Sequence, residues 1–158
     1  MENKLQRVNA RIQNAAIKSG RSPENITIVA VTKTFPPEIW ATALKHNLTT
    51  IGESRVQEAE VKNKQFSSRK KIELHLIGHL QGNKTRKAVQ LFDVIQTVDS
   101  WKLATRINTI SNQETTNAQK IFLQVNITGD PQKHGFSQKE AIAAAKEIAK
   151  MKGLILIG

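Results

Sequence analysis

The residue of this sequence best placed to do chemistry is Lys33. It follows the apolar run 26–32 and precedes Thr34-Phe35-Pro36-Pro37. The run predicts a strand buried on both faces, and the two prolines end that strand and open a helix. In a parallel α/β sheet or barrel, ligands bind at the carboxyl end of the strands. Lys33 is therefore predicted to lie at a ligand site.

An amine at that position can act as a nucleophile. Among apolar groups it loses part of its solvation, which favours the neutral form. The neutral form is the one that condenses with an aldehyde to give an imine. The alternative for Lys33 is a strand-end lysine whose ammonium group extends into solvent.

Polar residues recur where other apolar runs end. Ser54 follows the second run, and Asn126 ends the fifth, where its amide either faces a ligand ring or is a satisfied buried group. His75 lies in the third run and is interpreted as a core histidine that shapes the inner wall. Because His75 and His79 lie on a strand and a turn rather than on a helix, no zinc site is predicted for them.

Two loop lysines add positive charge near these positions. Lys84 ends the loop Leu80-Gln81-Gly82-Asn83-Lys84, in which Asn83 is expected to cap the next helix and the free amides to attract an anion. Lys133 lies in the loop after the fifth run, where Gly135 permits a turn. For both loops the alternative is an ordinary feature: a capped helix start, and a solvated lysine.

The elements that must position these residues alternate along the chain. An amphipathic helix is predicted at 2–19, ended by Gly20. Strands are predicted at 26–32, 49–52, 72–78, 94–98, 120–127 and 154–157. Helices are predicted between them at 37–46, 55–65, 84–91, 101–112 and 137–151, the last with Ser137 as its cap.

Five β-α units and a sixth strand predict an α/β fold with parallel strands. The candidates are an open doubly wound sheet and a (β/α)8 TIM-type barrel. No Gly-x-Gly-x-x-Gly or Walker sequence is present, which disfavours a nucleotide-binding open sheet. We expect residues 1–158 to form one partial barrel domain. The apolar run Leu154–Gly158 at the chain end indicates truncation, with about six of eight strands present.

Composition narrows the classes of function. The net charge is +11 and there is no cysteine, which excludes thiol catalysis and fits the cytoplasm. No secretory signal or membrane span is predicted. The positive charge favours anionic partners. However, aromatic residues are few and no helix-turn-helix or zinc signature occurs, so specific nucleic-acid binding is not predicted.

In this order the segments resemble one family, the YggS/PROSC pyridoxal phosphate homeostasis proteins. The resemblance covers nearly the whole chain, and the string His75–Lys84 is its most specific part. The other matching segments are Ala30–Thr34, Gly52-Glu53 with Val56-Gln57-Glu58, Val98-Asp99-Ser100, and Gln124–Ile127 with Lys133 and Gly135.

The resemblance implies a barrel like the N-terminal domain of alanine racemase. It also implies pyridoxal 5′-phosphate (PLP) held as a Schiff base on Lys33, without established catalysis. The implied function is PLP carriage or homeostasis, with apo-PLP enzymes as candidate partners. The full-length protein is then expected to be a monomer, and open barrel edges to allow self-association. The cofactor-binding residues expected on this basis are Lys33, Ser54, His75, Asn126, Lys133 and Lys84.

The chain departs from the family pattern at Phe35, where a second lysine is frequent, and at Ser54-Arg55, where Asn-Tyr is usual. Two further β-α units of the family, which supply phosphate-binding loops, are missing. Two alternatives remain. One is a PLP-dependent racemase-like enzyme, which the lack of tyrosine and of a second domain argues against. The other is a truncated, non-binding fragment with nonspecific affinity for nucleic acid.

Overall fold

The computed structural model describes residues 2–158 as alternating helices and parallel strands. The helices are α1 Glu2–Lys18, α2 Glu38–Lys45, α3 Val56–Gln65, α4 Thr85–Leu91, α5 Trp101–Glu114 and α6 Gln138–Ile148. The strands are β1 Val29–Val31, β2 Thr50–Glu53, β3 Glu73–Leu76, β4 Val94–Val98, β5 Gln119–Leu123, β6 Val125–Asn126, β7 Phe136–Ser137 and β8 Leu154–Leu156. Every predicted element is present, with ends displaced by a few residues.

Six strands form one parallel sheet in the order β1-β2-β3-β4-β5-β8. Along the sheet the strands follow one another in chain order, so the strand order runs in one direction from β1 to β8. A doubly wound sheet requires a reversal of this order, whereas right-handed crossovers in a constant direction build a barrel. The barrel prediction is therefore confirmed as a partial barrel, and the doubly wound alternative is wrong.

The two faces of the sheet differ in burial. On the face covered by helices, Ile51, Leu74, Ile95 and Ile121 are fully buried. The opposite face is open near the edge strands, where Val31 is 50% exposed and Ile155 is 45% exposed. The prediction that the first strand is buried on both faces is thus wrong, because β1 is an edge strand of the described sheet.

The helix starts show one correct and one wrong prediction. Ser137 caps α6 in a capping box, accepting a hydrogen bond from the backbone of Glu140 while the Glu140 carboxylate accepts one from the backbone of Ser137. Asn83 does not cap α4, because Gly82–Lys84 form a 3-10 turn whose carbonyl at Gly82 accepts from Thr85 Oγ1 at 2.8 Å. The Thr85 hydroxyl donates this bond, and no side chain caps the start of α4.

Side chains fasten neighbouring β-α units at the amino edge of the sheet. Arg69 donates to the carbonyl of Leu91 at 2.8 Å and to the carboxylate of Asp93 at 2.7 Å. Asp93 also accepts from the backbone of Leu74 at 2.6 Å. The Gln119 amide donates to the Asp93 carbonyl at 3.0 Å, so three successive units are joined.

Helix α1 agrees with its prediction at 2–19 to within one residue. Ala16 is buried while much of the helix is exposed, and Gly20 follows it with a φ of +69°.

Within residues 2–158, no helix has both the length and the apolar character needed to cross a bilayer.

Candidate functional site

Lys33 lies directly after β1, at the carboxyl edge of the sheet, as predicted. The residue before it is held in the sheet by the bond from the backbone N–H of Thr32 to the carbonyl of Gly52 at 3.0 Å. The Lys33 side chain is exposed, and among residues 2–158 it makes no hydrogen bond or ion pair. The apolar surroundings expected for this amine are therefore not present, because β1 is open on one side.

The backbone turns sharply immediately after Lys33. Thr34 has a φ of +67°, in the left-handed region that β-branched residues rarely adopt. The N–H of Phe35 donates to the carbonyl of Thr32 at 3.3 Å and closes the turn. Strain of this kind persists only where surrounding contacts hold it, and it concentrates at functional sites. The lysine thus lies on a short, fixed turn between β1 and α2.

A buried cluster of polar groups holds this turn from the helix side. Glu53 is fully buried, and its Oε1 accepts from Lys62 Nζ at 2.6 Å, Thr32 Oγ1 at 2.6 Å and Trp40 Nε1 at 3.1 Å. Lys62 also donates to the Thr32 carbonyl at 2.7 Å. We call these four residues the Glu53 cluster. It fixes the backbone that immediately precedes Lys33.

Sequence reasoning did not assign Lys62 any role, although a signal was present. Val56, Ala59 and Lys62 recur at the helical spacing that makes one face of α3, and all three are buried. A lysine at a core position needs a partner of opposite charge. The fourth residue of β2, Glu53, supplies that partner.

Ser54 and Lys84 line one cavity of about 630 Å³ at the carboxyl edge, together with Arg55 and His79 among others. Gly78 packs closely against one of the lining residues: a Cβ at this position would lie 2.1 Å from the carbonyl oxygen of Ser54. Only glycine allows this contact. Two of the predicted residues, Ser54 and Lys84, are thus brought together, with two cationic side chains in the lining.

His75 is buried on the inner side of the sheet, in agreement with its interpretation as a core histidine. Its Nδ1 lies 2.7 Å from the amide nitrogen of Gln96, and its Nε2 lies 3.2 Å from the Glu73 carboxylate. Burial raises the pKa of Glu73, but hydrogen bonds from Lys120 and then His75 outweigh it and leave the pKa below its ordinary value. His75 therefore belongs to an inner charge network.

Asn126 ends β6 and Lys133 lies between β6 and β7, and neither residue lines the Ser54 cavity. The Asn126 amide donates to the carbonyls of Asp130 at 2.8 Å and Lys133 at 3.2 Å, and its oxygen accepts from Thr128. The Asn126 amide is thus satisfied by carbonyls of its own loop, while its role toward a ligand ring stays a prediction. Lys133 is exposed and lies 3.9 Å from the Asp130 carboxylate.

Three residues from separate loops form a cluster that the sequence reasoning missed. His79 Nδ1 lies 3.1 Å from Asp99 Oδ2, and His134 Nδ1 lies 3.7 Å from the same oxygen. The two imidazole rings stack with centroids 3.8 Å apart at 13°. No local spacing signals this group, because His79 follows β3, Asp99 follows β4 and His134 lies between β6 and β7.

The carboxyl edge therefore carries an accessible primary amine at Lys33 and, in the cavity after β2 and β3, the cationic side chains of Arg55 and Lys84, and Lys33 is not among the residues that line that cavity. An amine of this kind reacts with carbonyl compounds, and lysine and arginine side chains attract anionic groups. The arrangement suits a small ligand that carries both an electrophilic carbonyl and a negative charge.

Comparison with known proteins gives a family match over most of the chain. Residues 4–158 match the model of the alanine racemase N-terminal domain. The pyridoxal phosphate homeostasis protein of Vibrio alginolyticus is 32% identical over 161 residues, which cover 100% of this chain and 69% of that protein. The chain thus spans about two thirds of the length of this relative.

Solved structures agree with the fold. PipY of Synechococcus elongatus PCC7942, in a structure with PLP bound, is 31% identical with a TM-score of 0.79, covering 93% of this chain and 68% of that one. Alanine racemase of Clostridium difficile 630 is 18% identical with a TM-score of 0.71, covering 95% of this chain and 39% of that one. The racemase supports the barrel fold alone.

Proposed function

The chain belongs to the alanine racemase N-terminal domain family, among the YggS/PROSC pyridoxal phosphate homeostasis proteins, and on that premise we propose that it binds PLP as a Schiff base on Lys33. The proposed role is carriage and homeostasis of the cofactor, without catalytic turnover. Similarity to a homeostasis protein and to PipY, whose structure has PLP bound, supports the ligand.

One observation carries the assignment of Lys33. Its amine is exposed at the strand edge where barrel ligands bind, while the backbone before it is fixed by the Glu53 cluster. A fixed backbone with a free side chain presents a nucleophile without tying its nitrogen to another group. PLP, when bound, supplies an aldehyde that condenses with a neutral primary amine and releases water.

Other residues of the carboxyl edge fit the phosphate group of this ligand. Lys84 and Arg55 line the 630 Å³ cavity and offer charge to a phosphate. The close contact of Gly78 with the Ser54 carbonyl leaves no room for a side chain at position 78. Exposed Lys133, between β6 and β7, adds positive potential. His75 contacts Gln96 and Glu73 on the inner side of the sheet, and Asn126 holds the loop that contains Lys133 through its hydrogen bonds.

Labelling with PLP tests the proposal. The purified chain is mixed with PLP, reduced with borohydride, and digested for mass spectrometry. We expect the label on Lys33, and its loss in Lys33→Ala. Lys45→Ala is the matched control, because Lys45 is an exposed lysine at the end of α2 that leads to the opposite edge of the sheet.

The result that refutes the proposal is labelling scattered over surface lysines with no decrease in Lys33→Ala. Racemisation of alanine by the PLP-treated chain, followed by polarimetry, tests the enzyme alternative. Turnover that disappears in Lys33→Ala would establish that alternative in place of carriage. We expect no turnover.

A further inference from the structure

The His79, Asp99 and His134 side chains bring three potential metal ligands together, with one ligand atom from each within 4.8 Å of the others. Among residues 2–158 they are the only group of three or more His, Asp or Glu side chains that meets this spacing. None of the three has a place in the proposed attachment of PLP to Lys33.

The distances between the ligand atoms suit a cation with tetrahedral coordination. Zinc binds imidazole nitrogen and carboxylate oxygen at about 2.1 Å, and ligands at that distance in a tetrahedron are about 3.4 Å apart. The two nitrogen–oxygen distances to Asp99, 3.1 and 3.7 Å, lie on either side of this value. The spacing of the three groups is therefore compatible with one ion, once the orientation of the rings changes.

The charge around Asp99 also favours a cation. Its side chain is only 8% exposed, and within the described residues no lysine or arginine forms an ion pair with it. The two groups that face it are imidazoles, which are neutral when they act as metal ligands. A divalent ion would therefore balance a nearly buried carboxylate.

The imidazole rings need to turn before both can bind one ion. A metal lies in the plane of the imidazole that binds it, whereas these rings are stacked in nearly parallel planes. The side chains of His79 and His134 are 43% and 58% exposed, so rotation about the Cβ–Cγ bond has room. Two half-exposed rings leave the fourth position open to water or to a ligand.

We propose that His79, Asp99 and His134 form a binding site for a divalent transition metal of the zinc type at the carboxyl edge of the barrel. Two nitrogen ligands and one oxygen ligand favour zinc, nickel or copper over magnesium or calcium, which prefer oxygen alone. His79 also lines the Ser54 cavity, so the ion would lie beside the proposed cofactor site.

Calorimetric titration of the chain with Zn²⁺ alone, in the absence of PLP, tests the site independently of the proposed function. We expect one equivalent to bind. Loss of a group that merely orients a metal ligand costs about 10- to 100-fold in affinity. Each of His79→Ala, Asp99→Asn and His134→Ala is therefore expected to weaken binding at least about tenfold.

His46→Ala is the matched control, since His46 ends α2 away from this cluster, and it should leave the affinity unchanged. Circular dichroism of each variant establishes that it is folded. Absence of stoichiometric binding by the unmodified chain would overturn the proposal. So would Zn²⁺ binding that survives in folded His79→Ala and His134→Ala, or that is weakened equally by His46→Ala.

Discussion

Replacing Lys62 by methionine tests whether the Glu53 cluster holds the site together. The substitution keeps the length and apolar stem of the side chain but removes both donors, to Glu53 Oε1 at 2.6 Å and to the Thr32 carbonyl at 2.7 Å. Glu53 then remains fully buried with only the Thr32 hydroxyl and the Trp40 indole as donors. An uncompensated buried carboxylate is the expected outcome.

Breaking a buried ion pair by removing one partner costs about 3–5 kcal/mol. At 2–4 °C per kcal/mol for a chain of this size, the melting temperature should fall by about 6–20 °C. Urea unfolding followed by tryptophan fluorescence measures the loss in free energy of unfolding, because Trp40 is fully buried in the cluster. Thermal unfolding followed by the same signal measures the melting temperature. Lys64→Met, an exposed lysine two positions along α3, should stay within about 0.5 kcal/mol of the original chain.

A double-mutant cycle separates the ion pair from simple loss of packing. Glu53→Gln removes the other charge, so the cost of Lys62→Met should be smaller in the Glu53→Gln background, with a coupling energy of at least about 1 kcal/mol. If Lys62→Met costs no more than Lys64→Met, the buried pair does not stabilise the fold and the reasoning about the Lys33 backbone is wrong.

Three further changes have expected outcomes. Gly78→Ala should destabilise the fold by about 1–3 kcal/mol in urea unfolding because its Cβ meets Ser54, whereas Gly82→Ala, with open space around it, should have little effect. Ser137→Ala should cost about 1 kcal/mol in the same assay through loss of the α6 cap. Because the folded-state pKa of Glu73 is lowered, its contribution to stability is present above its ordinary pKa and is lost as the pH falls through the folded value. Its side chain is 38% exposed, so the advantage over Glu73→Gln should stay below about 1 kcal/mol near pH 6 and should decrease as the pH falls below the ordinary pKa of glutamate.

The sequence predicted the features that depend on local pattern. Apolar runs and helical spacing located all the major elements, and Ser137 as a cap predicted the start of α6. The strand-end rule located Lys33 at the carboxyl edge. These successes share one cause: the signal lies within one element or at its boundary.

What the sequence did not predict depends on which elements are neighbours. The exposure of Lys33 follows from β1 lying at the edge of the sheet, which no local pattern encodes. The cluster of His79, Asp99 and His134 joins three loops far apart in the chain. The carbonyls of Asp130 and Lys133, which accept the hydrogen bonds of Asn126, also lie beyond what the pattern of the strand could predict.

The constant direction of the strand order has a consequence for how the chain folds. Each strand from β2 to β5 pairs with the one synthesised just before it, so each unit can dock as it emerges from the ribosome. The step from β5 to β8 is different, because β6, β7 and α6 intervene and the loop to be closed is longer. Docking of β8 is therefore expected to be the slowest step. It adds the sixth strand to the sheet only after β1, the strand that precedes Lys33, has paired with β2.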